Sequence, residues 1–213
     1  MAYDLQEQEQ IDEFKAWWTK YGNNLMTVLI IVLLAVAGWR AWGWYQQSQA
    51  SKAAVLYETL KQSAIKKDFV KAKEASAQIF ENYGSTAYGQ MAALMMARAH
   101  IDNGNDVKSA KLLLQWAIDK SKDEEFAHTA RLRMAGILLD EKAYDEGLKV
   151  LAVTPTETYL PLYADRRGDL LLASGKAIEA KAAYKEAIAK LEERSPIKEL
   201  VKLKYDALGG DAS

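Results

Sequence analysis

The chain has 213 residues, 28 Lys and Arg against 29 Asp and Glu, a formal net charge of −1 at pH 7, and no cysteine. That length allows one or two domains. The balanced charge argues against sequence-independent nucleic-acid binding, which needs a basic footprint, and the missing cysteines exclude a disulfide scaffold, a thiolate metal site and a Cys nucleophile.

Residues 1–20 form an acidic tail, with Asp4, Glu7, Glu9, Asp12 and Glu13 against Lys15 and Lys20. Ile11, Phe14 and Trp18 fall at i, i+3 and i+7, one face of a helix. A short amphipathic helix on a membrane surface and a plain extension of the following helix both fit this spacing. Next, Tyr21 to Trp39 reads YGNNLMTVLIIVLLAVAGW without a charge. As a helix rising ~1.5 Å per residue it spans roughly 28 Å, close to the hydrocarbon thickness of a bilayer. Helix is the open-chain form that pairs every backbone polar group internally in lipid. Trp17 and Trp18 precede the stretch, and Trp39, Arg40, Trp42 and Trp44 follow it, as expected of membrane-interface anchors. The segment 21–45 therefore reads as a transmembrane helix. A cleavable signal peptide competes, with Ala35-Val36-Ala37 as its cleavage pattern, but the acidic residues ahead of it oppose the basic start such peptides carry. Lys15 and Lys20 on one side balance Arg40 and Lys52 on the other, so charge does not orient the span.

Beyond it, residues 46–213 read as one domain made of helix after helix. The expected helices are Gln46–Ala64, Phe69–Tyr83, Thr86–Asn103, Val107–Lys120, Glu124–Glu141, Tyr144–Ala152, Leu162–Ser174, Ala177–Arg194 and Ile197–Leu208. Pro155, Pro161 and Pro196 sit at junctions, and no segment shows a strand's alternation. Short turns around Gly84, Gly104 and Gly175 make neighbours antiparallel. Gly209 to Ser213 reads as a frayed end. The fold class is all-α: a single N-terminal transmembrane helix followed by a tetratricopeptide-like helical-repeat domain.

The repeat rests on spacing. Gly175 is followed by Ala180 at +5, Tyr184 at +9 and Ala187 at +12. Asn105 is followed by Ala110, Leu114 and Ala117, and Lys142 by Gly147, Leu151 and Thr154. The turn slots recur near the ~34-residue tetratricopeptide period. Small residues are needed where helices cross closely, and the large one fills the space between. Ala135 and Gly168, seven residues before their slots, mark the facing helices; Arg98 departs from that pattern. The copies are Ala87–Ser121, Glu124–Val153 and Leu162–Arg194, with Gln46–Tyr83 as a degenerate copy or cap. Ile197–Leu208 is a C-terminal cap that buries Leu200, Val201, Leu203 and Leu208 and turns Lys198, Lys202, Lys204 and Asp206 to water. An irregular helical bundle is the alternative.

Chemistry is sparse. Glu124 and His128 stand i, i+4, but a metal needs further ligands, and a solvent-facing pair is the expectation. The chain has no phosphate loop and no activated-serine motif, and no cofactor, metal or catalytic residue is expected. In Asp165-Arg166-Arg167-Gly168-Asp169, Arg166 and Asp169 are spaced for a surface ion pair. A repeat stack supplies a concave surface lined by its first helices. The inward positions by repeat offset are Met95, Asp102, Thr129, Leu132, Leu162, Asp165 and Asp169. They read equally as a peptide-binding groove, with the acids selecting charge, and as packing against a folded-back C-terminal helix.

Phe14 to Gly22, Gly38-Trp39-Arg40, Tyr88-Gly89 leading into Ala99, and Ala164 to Lys176 occur in an order that resembles the YfgM family, the ancillary subunit of the bacterial SecYEG translocon. The resemblance implies a non-catalytic inner-membrane protein with its N-terminus in the cytoplasm and its repeat domain in the periplasm. It further implies association with SecYEG and the membrane-anchored chaperone PpiD, and hand-over of translocating polypeptides to periplasmic chaperones. An alternative it suggests is a membrane tether that regulates an envelope-stress response through its tail.

Overall fold

The computed structural model describes residues 2–104 and 106–210. Met1, the turn slot Asn105 and the end Asp211-Ala212-Ser213 lie outside the described residues. The chain divides into two compact units between Ser51 and Lys52.

Helix α1 runs Ala2–Ile65. Neither the tail nor Gln46 begins a helix of its own, because no proline interrupts the sequence between them. Within the first unit, residues 23–45 are exposed throughout. The helix is long and apolar enough to cross a membrane, and its most apolar window has no share buried in protein. Phe14 stacks on Trp17 and Trp18 at 6.3 and 6.2 Å, Trp17 lies 5.8 Å from Tyr21, and the Trp18 ring covers Gly22. Past the apolar stretch, Trp42 and Tyr45 pair at 6.0 Å.

The second unit packs the end of α1 with α2 (Phe69–Tyr83), α3 (Ala87–Gly104), α4 (Val107–Lys120), α5 (Glu124–Asp140), α6 (Tyr144–Val150), α7 (Leu160–Ala173), α8 (Ala177–Lys190) and α9 (Pro196–Ala207). The described residues contain no strand. Helices α2 and α4 have the expected limits, since Asp68 and Asp106 cap them by accepting hydrogen bonds from the N–H groups of Lys71 and Ser109, both at 3.1 Å. Helices α7 and α9 start before the expected limits because Pro161 and Pro196 occupy the first turn, where proline's missing N–H has no partner to lose. Helix α6 ends early, at Val150, so Leu151 is buried as expected while Thr154, meant for the next small slot, is exposed.

The repeat is visible in the turns. Lys67, Lys142 and Gly175 have φ of 57°, 61° and 82°. Each is followed by an N–H that reaches five residues back: Asp68 to the Ser63 carbonyl, Ala143 to Leu138, and Lys176 to Leu171. This is the bond pattern of a left-handed helix stop. Five residues after each turn comes a buried small residue, Ala72, Gly147 or Ala180. Lys67 thus marks the repeat turn of the first helical pair, between the end of α1 and α2.

Packing follows the spacing. Ala110, Leu114 and Ala117 are buried with Ala93, Ala97, Ala130 and Met134; Ala180, Tyr184 and Ala187 are buried with Ala164, Leu171 and Val201. A Cβ on Gly168 would meet the Tyr184 ring at 2.5 Å, which is why the slot before the turn must be so small there. Gly89 is equally constrained, by the Gly84 carbonyl oxygen 2.6 Å from a Cβ position.

The cap matches expectation only in part: Val201 is buried, Leu208 packs against the same cluster and Asp206 is exposed. In α9, Leu200 and Leu203 are 52 and 68% exposed, while Lys198 is 8% exposed and Val201 and Tyr205 are buried. Lys198 donates to Glu193 Oε2 at 2.6 Å, and Lys204 pairs with Asp165 and Asp169. Lys204 turns toward α7 because that helix presents two carboxylates to it.

Candidate partner-binding groove

The first helices of the repeats, α3, α5 and α7, line a cleft of about 760 Å³. Asp102, Thr129, Leu132 and Leu162 line it, as their offsets place them, together with Arg98, Ile101, Arg133, Tyr159 and Arg166. Met95 does not. It lies with Asp102 on a smaller recess between the end of α1, α2 and α3. Asp165 and Asp169 also lie off the cleft, under α9, where Lys204 Nζ approaches them at 2.7 and 2.8 Å. Tyr184 donates its hydroxyl to Asp169 at 2.9 Å, and the Lys204 ammonium sits 5.5 Å from the Tyr184 ring centre. Burial raises the Asp165 carboxyl above its ordinary range, and Lys204 opposes this. The acids of the third copy thus serve the packing of the C-terminal helix.

The cleft has a braced end. Tyr159 donates to the Glu125 carbonyl at 3.1 Å and lies 2.8 Å from the Thr129 hydroxyl, which therefore donates to it. Beside them His128 is only 4% exposed, its Nδ1 2.8 Å from the Tyr163 hydroxyl. The solvent-facing Glu124–His128 pair expected from spacing does not form, because Tyr163 of α7 and Tyr159 just before it cover His128. Burial, with nearby Arg131, holds the imidazole below the ordinary histidine range. His100 is likewise buried, edge-on to Phe69 and 3.1 Å from Asp106. Among the described residues no group of three His, Asp or Glu side chains is arranged to hold a metal ion.

The arginines were not among the expected groove residues. Arg133 donates through Nη1 to the Leu94 carbonyl at 2.8 Å, tying α5 to α3. Burial and the neighbouring Arg98 lower its pKa. Arg98 is bonded to Asp102 at 2.8 Å, and Arg166 lies 3.6 Å from Asp169, the pair expected from spacing. The signal that could have found two of these arginines is the recurrence of Arg133 and Arg166 at one slot of the repeat, nine residues before their turns.

The sequence profile of the tetratricopeptide repeat-like domain family matches residues 15–210. The chain belongs to that family. It is also similar, nearly end to end, to proteins named ancillary SecYEG translocon subunit. The one from Neisseria gonorrhoeae is 29% identical over 212 residues, 98% of this chain and 100% of that protein. The one from Escherichia coli is 28% identical over 204 residues, 95% and 96% of the two chains. The one from Haemophilus influenzae is 28% identical over 188 residues, 88% and 91%. The resemblance and the all-α repeat fold read from the sequence are both borne out.

Proposed function

We propose that this protein is a membrane-anchored, non-catalytic adaptor of the SecYEG translocon. Its apolar helix lies in the inner membrane, residues 1–20 in the cytoplasm and the repeat domain in the periplasm. The cleft along α3, α5 and α7 receives segments of translocating polypeptides and passes them toward periplasmic chaperones, with PpiD as a partner. The observation that carries this reading is the joining, in one chain, of a lipid-compatible helix and a repeat stack with an open cleft, similar over nearly its whole length to the translocon subunits above. Tethering raises the local concentration of the stack at the channel, so weak contacts suffice.

Photocrosslinking tests it. A crosslinker at Leu132, inside the cleft, captures SecYEG, PpiD or a stalled translocating chain in native membranes, and one at Met95, outside it, captures less. Recovery of none of these from Leu132, or of the full-length chain from the soluble fraction, overturns the reading.

A further inference from the structure

Arg98, Arg133 and Arg166 stand one repeat period apart on α3, α5 and α7, and all three line the same cleft. Arg133 and Arg166 hold the same slot, nine residues before the left-handed turn residues Lys142 and Gly175. Two of the three already face an acid, Arg98 through Asp102 at 2.8 Å and Arg166 through Asp169 at 3.6 Å. Asp169 is shared with Lys204, which holds it and Asp165 under α9, so neither carboxylate saturates the row. Asp140 is the other acid on the cleft wall. A guanidinium carries five N–H donors, and the bond from Arg98 to Asp102 uses Nε alone. Between the arginines the wall is aliphatic, with Ile101, Leu132 and Leu162.

We propose that the cleft selects polypeptide segments that mix acidic and aliphatic residues, their carboxylates pairing with the row formed by Arg98, Arg133 and Arg166 and their apolar side chains resting on Leu132 and Leu162. This rests on the cleft being the adaptor's binding surface and adds the charge of what it binds. Arginine suits the role, because its planar fork meets a carboxylate with two parallel bonds. The aliphatic wall between the charges separates a peptide from a nucleic acid, which would ask for a continuous basic surface.

The test uses the full-length chain in phosphatidylcholine nanodiscs and two fluorescein-labelled peptides, one of Glu, Leu and Ser, the other with Lys in place of Glu. Fluorescence anisotropy is expected to show the acidic peptide binding at least about tenfold tighter, more weakly as salt rises. Arg98→Gln and Arg166→Gln, which leave the Arg133 bond to α3 in place, each weaken it about three- to tenfold. Equal affinity for the two peptides, or no effect of either substitution in a variant of unchanged helix content, overturns the acidic preference. If Leu132 still captures translocating chains in that case, the adaptor reading stands and this inference alone falls. If neither peptide binds and Leu132 captures nothing, both fall.

Discussion

Large aliphatic side chains are exposed along the span of the first unit, whereas the second buries a core. In the first, Leu29, Ile31, Leu33 and Leu34 point outward with nothing of the protein against them. In the second, sixteen of the thirty buried hydrophobic residues described are alanine, and large side chains such as Leu60, Leu114, Leu170 and Tyr184 fill the spaces between closely approaching helices. Both units are helical, so propensity does not distinguish them. The first has no internal partner for its apolar surface and depends on lipid; the second makes its own apolar environment by bringing backbones close enough for alanine and glycine to touch.

This contrast can be broken from either side. The largest effect is expected from Tyr184→Ala, which empties the space between Gly168 and α9 and removes the hydroxyl bond to Asp169. The second unit should lose about 3–5 kcal/mol in urea unfolding. A loss below about 1 kcal/mol would mean that the alanine-lined contacts hold the stack without their large members. Leu33→Arg places a charge at mid-span, where insertion costs about 3 kcal/mol, and should leave much of the protein extractable by alkaline carbonate. The same substitution should not shift unfolding of the second unit, and a shift would show that the two units depend on one another.

Lys204→Met is smaller, about 2 kcal/mol, because the pair it breaks is only partly buried. Its signature is in the pH dependence. The Asp165 carboxyl is already raised by burial. A carboxyl raised in the folded state costs stability as pH rises through its unfolded value and regains it as pH falls. Without the ammonium that cost grows, so the variant should approach wild type as the carboxylates protonate and diverge most near neutral pH. A loss independent of pH would show that Lys204 acts through its aliphatic stem. The smallest expected change is a gain: Lys142→Gly relieves a left-handed lysine and should stabilise the second unit by about 1 kcal/mol, read as a raised urea midpoint. No gain would mean that the turn holds Lys142 through contacts beyond its backbone.

Much of this fold was legible along the chain. Asp68 and Asp106 announce helix starts through their own side chains, and the limits of α2 and α4 follow. The small-large-small offsets after each turn are local, so Ala110, Leu114, Ala117, Ala180, Tyr184 and Ala187 were readable as packing positions. In the groove, Asp102, Thr129, Leu132 and Leu162 followed from the same offsets. Met95, Asp165 and Asp169 did not, because an offset gives a face and not the neighbour that reaches it. Lys204 lies far along the chain from both aspartates, and periodicity carries no record of a charge pairing over that distance. Helix α9 shows the ambiguity directly. Leu200 and Leu203 offer one face and Lys198, Val201 and Tyr205 another, and either could have turned inward.

The sequence by itself determined the apolar helix, the all-α repeat and the spacing of its turns, since each is carried by a continuous run or a fixed spacing along the chain. Only the tertiary structure decided that His128 is covered by tyrosines, that α9 buries Lys198 while leaving Leu200 and Leu203 exposed, and that three arginines share one cleft wall. Those outcomes depend on which helix faces reach each other across the stack.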